Sequence, residues 1–285
     1  MINKIRHCIG VVSYCTPQEE PERFLRLKES ILSHKSLKRD DNYMFLWDNG
    51  SSDDVKDFLN SCDFFDDIFF SHKNLYTNVM EALLNLKAKE FKAQYITLLA
   101  HDYMIYDSSA VLNCIDFMDK NLDCGYVRML KFELDRKEIY DKMGNHPKKD
   151  LANQVTLYNV ITRQPLLWEE PQFINGYRFF KNSWHWSEFP NVCRAKVFDK
   201  IFPKKRCGLL QNLESVMMKN YNHLNLKTGV LDGGAALHNQ LDFSMNGSLR
   251  INKIHSDKLD PNMQIDPSEI LQLINEICNT NYESL

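Results

Sequence analysis

The chain has 285 residues, 44% of them hydrophobic and 26% charged, a balance that buries a sizeable core in one large domain with additions and excludes global disorder. A formal net charge of -3 gives no overall attraction for nucleic acid or an anionic membrane. No apolar run reaches the roughly 18 residues that argue for a bilayer span.

The opening, MINKIRHCIGVVSY, runs straight into a strand and lacks the apolar region and cleavage site of a signal peptide. Eight cysteines are scattered without a CxxC pair or zinc-ligand spacing, which reads as reduced thiols in a cytoplasmic protein.

The first strand is expected over Ile5 to Tyr14. A loop with Pro17 and Pro21 leads to a helix from Glu22 or Arg23, whose apolar face is Phe24, Leu27 and Ile31. A second strand, Tyr43 to Trp47, stops at Asp48-Asn49-Gly50-Ser51-Ser52-Asp53-Asp54. That cluster reads as a turn, with Ser51 or Ser52 capping the next helix through Val55, Phe58 and Leu59. A short third strand, Asp67 to Phe70, precedes Asn74 and a helix from Thr77 to about Lys89.

The stretch Tyr95 to Asp107, YITLLAHDYMIYD, is a buried strand that ends in one acid, Asp102, with a second at Asp107. In an open α/β sheet, ligands bind beyond the carboxyl ends of the strands, so Asp102 is placed for chemistry. Four strands alternating with helices predict a mostly parallel α/β sheet covered on both faces.

Ser108 or Ser109 is expected to cap a helix to about Lys120, and Gly125 to Phe132 to form a strand. Glu133 to Asn153 reads as a charged surface excursion. Aromatic residues crowd Phe173 to Phe189, then NVCRAKVFDKIFP resumes a strand and a short helix. Another helix spans Leu213 to Tyr221, and TGVLDG is a strand ending at Asp232-Gly233-Gly234. Asp266-Pro267-Ser268-Glu269 starts a last helix as a capping box. One domain over residues 1–250 and a helical extension over 251–285 are expected.

A first strand ending at Ser13-Tyr14, a second ending in WDNGSSDD, Asn74 before a helix, and a strand ending at Asp102 together resemble the family 2 glycosyltransferases of the GT-A fold. The order and spacing carry the resemblance, over about residues 5–110 and more loosely over 185–240.

The resemblance implies that Asp48, with Asn49 beside it, meets the base of a nucleotide-sugar donor, and that Ser13, Tyr14, Asn74 and His101 line the nucleotide. It implies a divalent cation, Mn²⁺ or Mg²⁺, bound by Asp102 and bridging the donor diphosphate, with His238 as a second ligand. Ala100 departs from the family pattern, because it stands where the first acid of the Asp-x-Asp motif is usual. The metal can therefore be weak or absent, with His101 or basic side chains holding the diphosphate instead. Glu214 in QNLESVMMKNY takes the place of the general base, and Trp184, His185 and Trp186 suit an acceptor sugar.

The function implied is transfer of a sugar to a hydroxyl of a glycan or lipid-linked glycan, with inversion, by a cytoplasmic enzyme. Lys204, Lys205 and Arg206 suit a lipid diphosphate or peripheral contact with the inner face of a membrane. A second reading keeps the GT-A scaffold as a nucleotide-sugar or glycan binding protein without turnover. A nucleotidyltransferase is disfavoured because the loop after the first strand, CTPQEEPER, is acidic and has no glycine.

Overall fold

The computed structural model describes residues 4–16, 21–75, 77–129, 169–183, 186, 190–204, 207–209, 213–238 and 264–285. The chain opens with β1 (His7–Ser13), α1 (Pro21–Ser33), β2 (Asn42–Asp48), α2 (Asp53–Asn60), β3 (Asp67–Phe70), α3 (Asn78–Glu90) and β4 (Tyr95–Ala100). It continues with β5 (Tyr103–Ile105), α4 (Ser108–Lys120), β6 (Cys124–Arg128), β7 (Gln172–Ile174), β8 (Tyr177–Asn182), β9 (Asn191–Arg194) and α5 (Ala195–Ile201). Last come β10 (Cys207–Leu209), α6 (Leu213–Asn222), β11 (Lys227–Leu231), β12 (Ala236–His238), β13 (Gln264–Ile265) and α7 (Pro267–Cys278).

One nine-stranded sheet runs in the order β3-β2-β1-β4-β9-β6-β11-β8-β7. Parallel pairing joins β3, β2, β1 and β4, and also β6 and β11. β9 is antiparallel to both β4 and β6, so β6 and β11 point the same way as β4. The mostly parallel sheet is thus as the alternation of strands and helices predicts. The strand order reverses between β1 and β4, which opens a crevice beyond their carboxyl ends.

Period-2 alternation sends each strand's side chains into two separate cores. Cys8, Val12, Phe45, Trp47, Ile96 and Leu98 meet α3, α5, α6 and α7 through Val79, Leu83, Phe198, Met217 and Ile274. Ile9, Val11, Met44, Leu46 and Leu99 meet α1, α2 and α4 through Leu27, Ile31, Val55, Leu59, Ile115 and Phe117. Each such side chain contributes about 1.5–3 kcal/mol by leaving water, so the sheet is a rigid platform for what lies at its edge. Because Ile270, Leu273 and Ile274 of α7 lie in the first core, the terminal helix is packed on the sheet's own covering layer.

Three helix starts are specific. Asp107, not Ser108 or Ser109, caps α4, accepting from the Ala110 amide at 3.0 Å. Its other oxygen accepts from Tyr177 at 2.9 Å, so this second acid is structural. Ser52 holds the N-cap position of α2 without a side-chain capping bond. Asp266 caps α7 by accepting from the Ser268 amide at 2.9 Å, with Pro267 in the first turn. The expected excursion over 133–153 lies outside the described residues.

No disulfide joins the described cysteines, and burial pushes the Cys62 thiol up to about 11 and the Cys8 and Cys124 thiols up to about 12.

Candidate active site at the carboxyl edge of the sheet

Ser13 and Asp48 end β1 and β2 in register, which puts the two following loops side by side. Asp48 Oδ2 accepts from Ser13 Oγ at 2.8 Å and from Ser51 Oγ at 2.5 Å. Its Oδ1 accepts from the amides of Gly50 at 3.1 Å and Ser51 at 2.8 Å. Ser51 Oγ in turn accepts from the Cys15 amide at 2.9 Å. A carboxylate has about four acceptor positions, and these donors occupy all of them.

Asp48 is fully buried, and so is Ser13. The role assigned to Asp48 from its sequence, contact with a nucleotide base, is therefore corrected: its carboxylate ties the two loops together. Asn49 is buried as well, and its Oδ1 accepts from Trp47 Nε1 at 3.1 Å. Gly50 has φ of +86°, a conformation that glycine adopts without strain, and there the chain passes close to the Ser71 carbonyl.

The loop after β3 joins the same edge, since the Ser71 amide donates to the Asp48 carbonyl at 2.8 Å. Asn74 follows three residues on and is partly exposed, as is Tyr14 in the first loop.

His101 extends β4 by one residue, donating its amide to the Val12 carbonyl at 2.9 Å. Its imidazole therefore stands at the β1/β4 crevice, with Asp102 next to it. α1 adds a residue that patterning passed over, because Arg23 Nη2 lies 3.4 Å from His101 Nε2. The end of the same helix holds β5: Ile105 donates its amide to Ser33 Oγ, and His34 Nε2 donates to the Tyr103 carbonyl, both at 2.8 Å.

β5 pairs with β12, which sets His238 directly opposite Tyr103 and one residue from Asp102. The backbone thus brings together the two residues expected to hold a metal. The side chain of His238 lies outside the described residues. Positive φ at Gly233 and Gly234 turns the chain from β11 into β12, and Tyr106 donates its hydroxyl to the Gly233 carbonyl.

β6 ends at the same edge in Arg128. Burial lowers the pKa of its guanidinium, and the negative charge of Glu214 is among the influences that oppose that shift. Glu214 is exposed in the first turn of α6, the helix that leads into β11. It is close enough to Arg128 for its charge to act on the guanidinium.

Trp186 is corrected. It is 1% exposed and its ring packs against Tyr126, Phe198 and Tyr221, which makes it core. Trp184 and His185 lie outside the described residues. Lys204 pairs with Asp199 at 2.9 Å, while Lys205 and Arg206 also lie outside.

Among the described residues, no group of three or more histidine, cysteine or acidic side chains converges to hold a metal ion. A hard divalent cation needs only one or two carboxylates when diphosphate oxygens and water complete its shell. Asp102 fits a cation that arrives with a diphosphate; it does not make a preformed centre. Also among the described residues, no helix is long and apolar enough to cross a membrane.

No protein-family model and no curated protein matches the sequence. Solved structures do match in fold. Against S. aureus TarS 1-349 in complex with UDP-GlcNAc the TM-score is 0.50 at 12% identity, covering 96% of this chain and 72% of that one. Against the mannosyltransferase PcManGT from Pyrobaculum calidifontis, in complex with GDP-Man and Mn²⁺, it is 0.52 at 9% identity, covering 97% of this chain and 65% of that one. At such identities the likeness concerns the backbone, and its conclusion is that this chain has a GT-A-like α/β fold.

Proposed function

We propose that the chain is a glycosyltransferase of the family 2 type, moving a sugar from a nucleotide-sugar donor to a hydroxyl of a glycan or lipid-linked glycan. The observation that supports the reading is His101 and Asp102 at the β1/β4 reversal with the backbone of His238 paired beside them, and Arg128, with Glu214 near it, at the end of β6 on the same side of the sheet. The presence of UDP-GlcNAc in one similar structure, and of GDP-Man with Mn²⁺ in another, supports a nucleotide sugar as the donor class.

In this reading the nucleotide lies over the loops after β1, β2 and β3, against Tyr14 and Asn74. Ser13, Asp48 and Asn49 hold those loops from beneath. The diphosphate meets His101 and Asp102. Glu214 removes the proton of the acceptor hydroxyl as its oxygen attacks the anomeric carbon, and the bond from that carbon to the diphosphate breaks. One such displacement inverts the configuration. Arg128 balances the charge of Glu214 and holds the base in place. Mn²⁺ or Mg²⁺, held by Asp102 with the diphosphate, would offset charge on the leaving group. A hexosyl group, a role in polysaccharide synthesis, and work in the cytoplasm with peripheral contact at the inner membrane face belong to the same proposal.

Incubation with a panel of nucleotide sugars, with and without Mn²⁺, tests the reading. Release of nucleoside diphosphate from one donor, faster when its acceptor is added, is the expected result. Absence of both binding and turnover across the panel would overturn it.

Ala100 favours a second reading, a scaffold that binds nucleotide sugar without turnover. Donor affinity with no transfer to any acceptor, unchanged in Glu214→Gln, would select that reading over the first.

A further inference from the structure

Ala100 removes a carboxylate from the end of β4, and α1 brings an arginine to the same place. Arg23 is in the first turn of α1, with its Nη2 3.4 Å from His101 Nε2. A guanidinium can only donate, so His101 offers its Nε2 lone pair to Arg23 and carries its ring proton on Nδ1. The backbone of His101 is held in place, because its amide donates to the Val12 carbonyl at the β1/β4 crevice.

The pairing is braced at both ends of the helix. While Arg23 reaches His101, Ser33 and His34 at the other end bond the backbone of Ile105 and Tyr103. One rigid element therefore sets the guanidinium relative to Asp102. The first turn of α1 also carries the positive end of its dipole toward this edge.

With a second acid absent and a guanidinium present, the crevice repels a diphosphate less than a pair of carboxylates would. Guanidinium is also the cation best suited to it, because its planar fork matches phosphate oxygens two at a time and is weakly hydrated.

We propose that Arg23, aligned by His101, binds the diphosphate of the donor directly, so that a nucleoside diphosphate binds this protein without a divalent cation. The inference rests on the reading of this edge as a nucleotide-sugar site. It assigns to α1 a part of the charge balance that Ala100 has taken from β4.

Isothermal calorimetry with UDP, GDP, CDP and ADP, each in EDTA and in excess Mn²⁺, tests it on the whole chain. At least one diphosphate is expected to bind in EDTA. Arg23→Ala should weaken that binding by about tenfold or more, the scale of a charge-assisted hydrogen bond, while the matching nucleoside monophosphate changes by less than about twofold. Arg23→Lys should recover part of the loss as a point charge. Circular dichroism and the unfolding midpoint of each variant separate loss of binding from loss of fold, and Arg23→Gln serves if the alanine variant does not fold. Binding of a diphosphate only with Mn²⁺, or equally well by Arg23→Ala in EDTA, would overturn this inference and leave the site reading intact. No binding of any diphosphate under either condition would overturn both.

Discussion

Ser13 donates its hydroxyl to Asp48 at 2.8 Å across the step from β1 to β2, and both side chains are fully buried. Asp48→Ala would strand the hydroxyls of Ser13 and Ser51 and the amides of Gly50 and Ser51. Leaving buried donors unmatched costs about 1–3 kcal/mol each, so a loss of about 3 kcal/mol or more in urea unfolding is expected. A change within about 0.5 kcal/mol, the range of ordinary surface substitutions, would mean that the knot is not structural.

Gly125 lies under the ring of Tyr221: a Cβ there would sit 2.6 Å from the tyrosine Oη and 2.8 Å from Cε2. Tyr221 is buried and donates to the Lys227 carbonyl at 2.7 Å, so it has little room to move. Gly125→Ala is expected to destabilise by about 1–3 kcal/mol through overpacking. Because Tyr221 belongs to α6, the helix with Glu214 in its first turn, the variant should also lower turnover more than donor affinity. Paired unfolding and kinetic measurements check both parts.

His7 and His34 are both buried neutral, and burial is the main cause: it lowers their pKa values from 6.5 to about 3 and about 4. The unfolded chain therefore takes up protons that the folded chain refuses. Stability is full above the unfolded value of 6.5 and falls as pH drops toward the folded values. At pH 5 the loss is about 2 kcal/mol for each histidine. Urea midpoints at pH 7 and pH 5 measure the slope, and His34→Gln should reduce it.

Glu214→Gln removes the proposed base and keeps the shape of the side chain. Transfer should fall by about 10² to 10⁴, with donor affinity unchanged by calorimetry. Full transfer activity in this variant would remove Glu214 from the mechanism.

Trp186→Ala provides a contrast. The ring is core, so the expected effect is a loss of about 3–5 kcal/mol in stability. A stable variant with a raised acceptor KM would return Trp186 to the sugar-binding role.

Patterning reads the β1 to β4 half well because β1, β2 and β4 are buried on both faces, and the apolar runs before Asp48 and Asp102 mark the carboxyl ends of β2 and β4 directly. It misreads the work of Asp48, since WDNGSS looks the same whether its acid points at a ligand or accepts from its own loop. Arg23 escapes notice for another reason: its partner is 78 residues away, and only the packing of α1 on the sheet brings the two together. Trp186 fails on burial, because an aromatic cluster looks alike in a core and in a sugar site. Asp107 reads in the sequence only as a second acid after the strand, and its bonds to Ala110 and Tyr177 show it to be a helix cap.

The central claim is that a nucleotide sugar binds where the strand order reverses. Amide chemical-shift mapping with the donor's nucleoside diphosphate tests it most directly. The account predicts that shifts concentrate at residues 13–16, 49–51, 71–74, 101–103 and 236–238, with the Arg23 side chain among them. Saturable binding that leaves these amides unmoved, and shifts others such as those of β7 and β8, would contradict it.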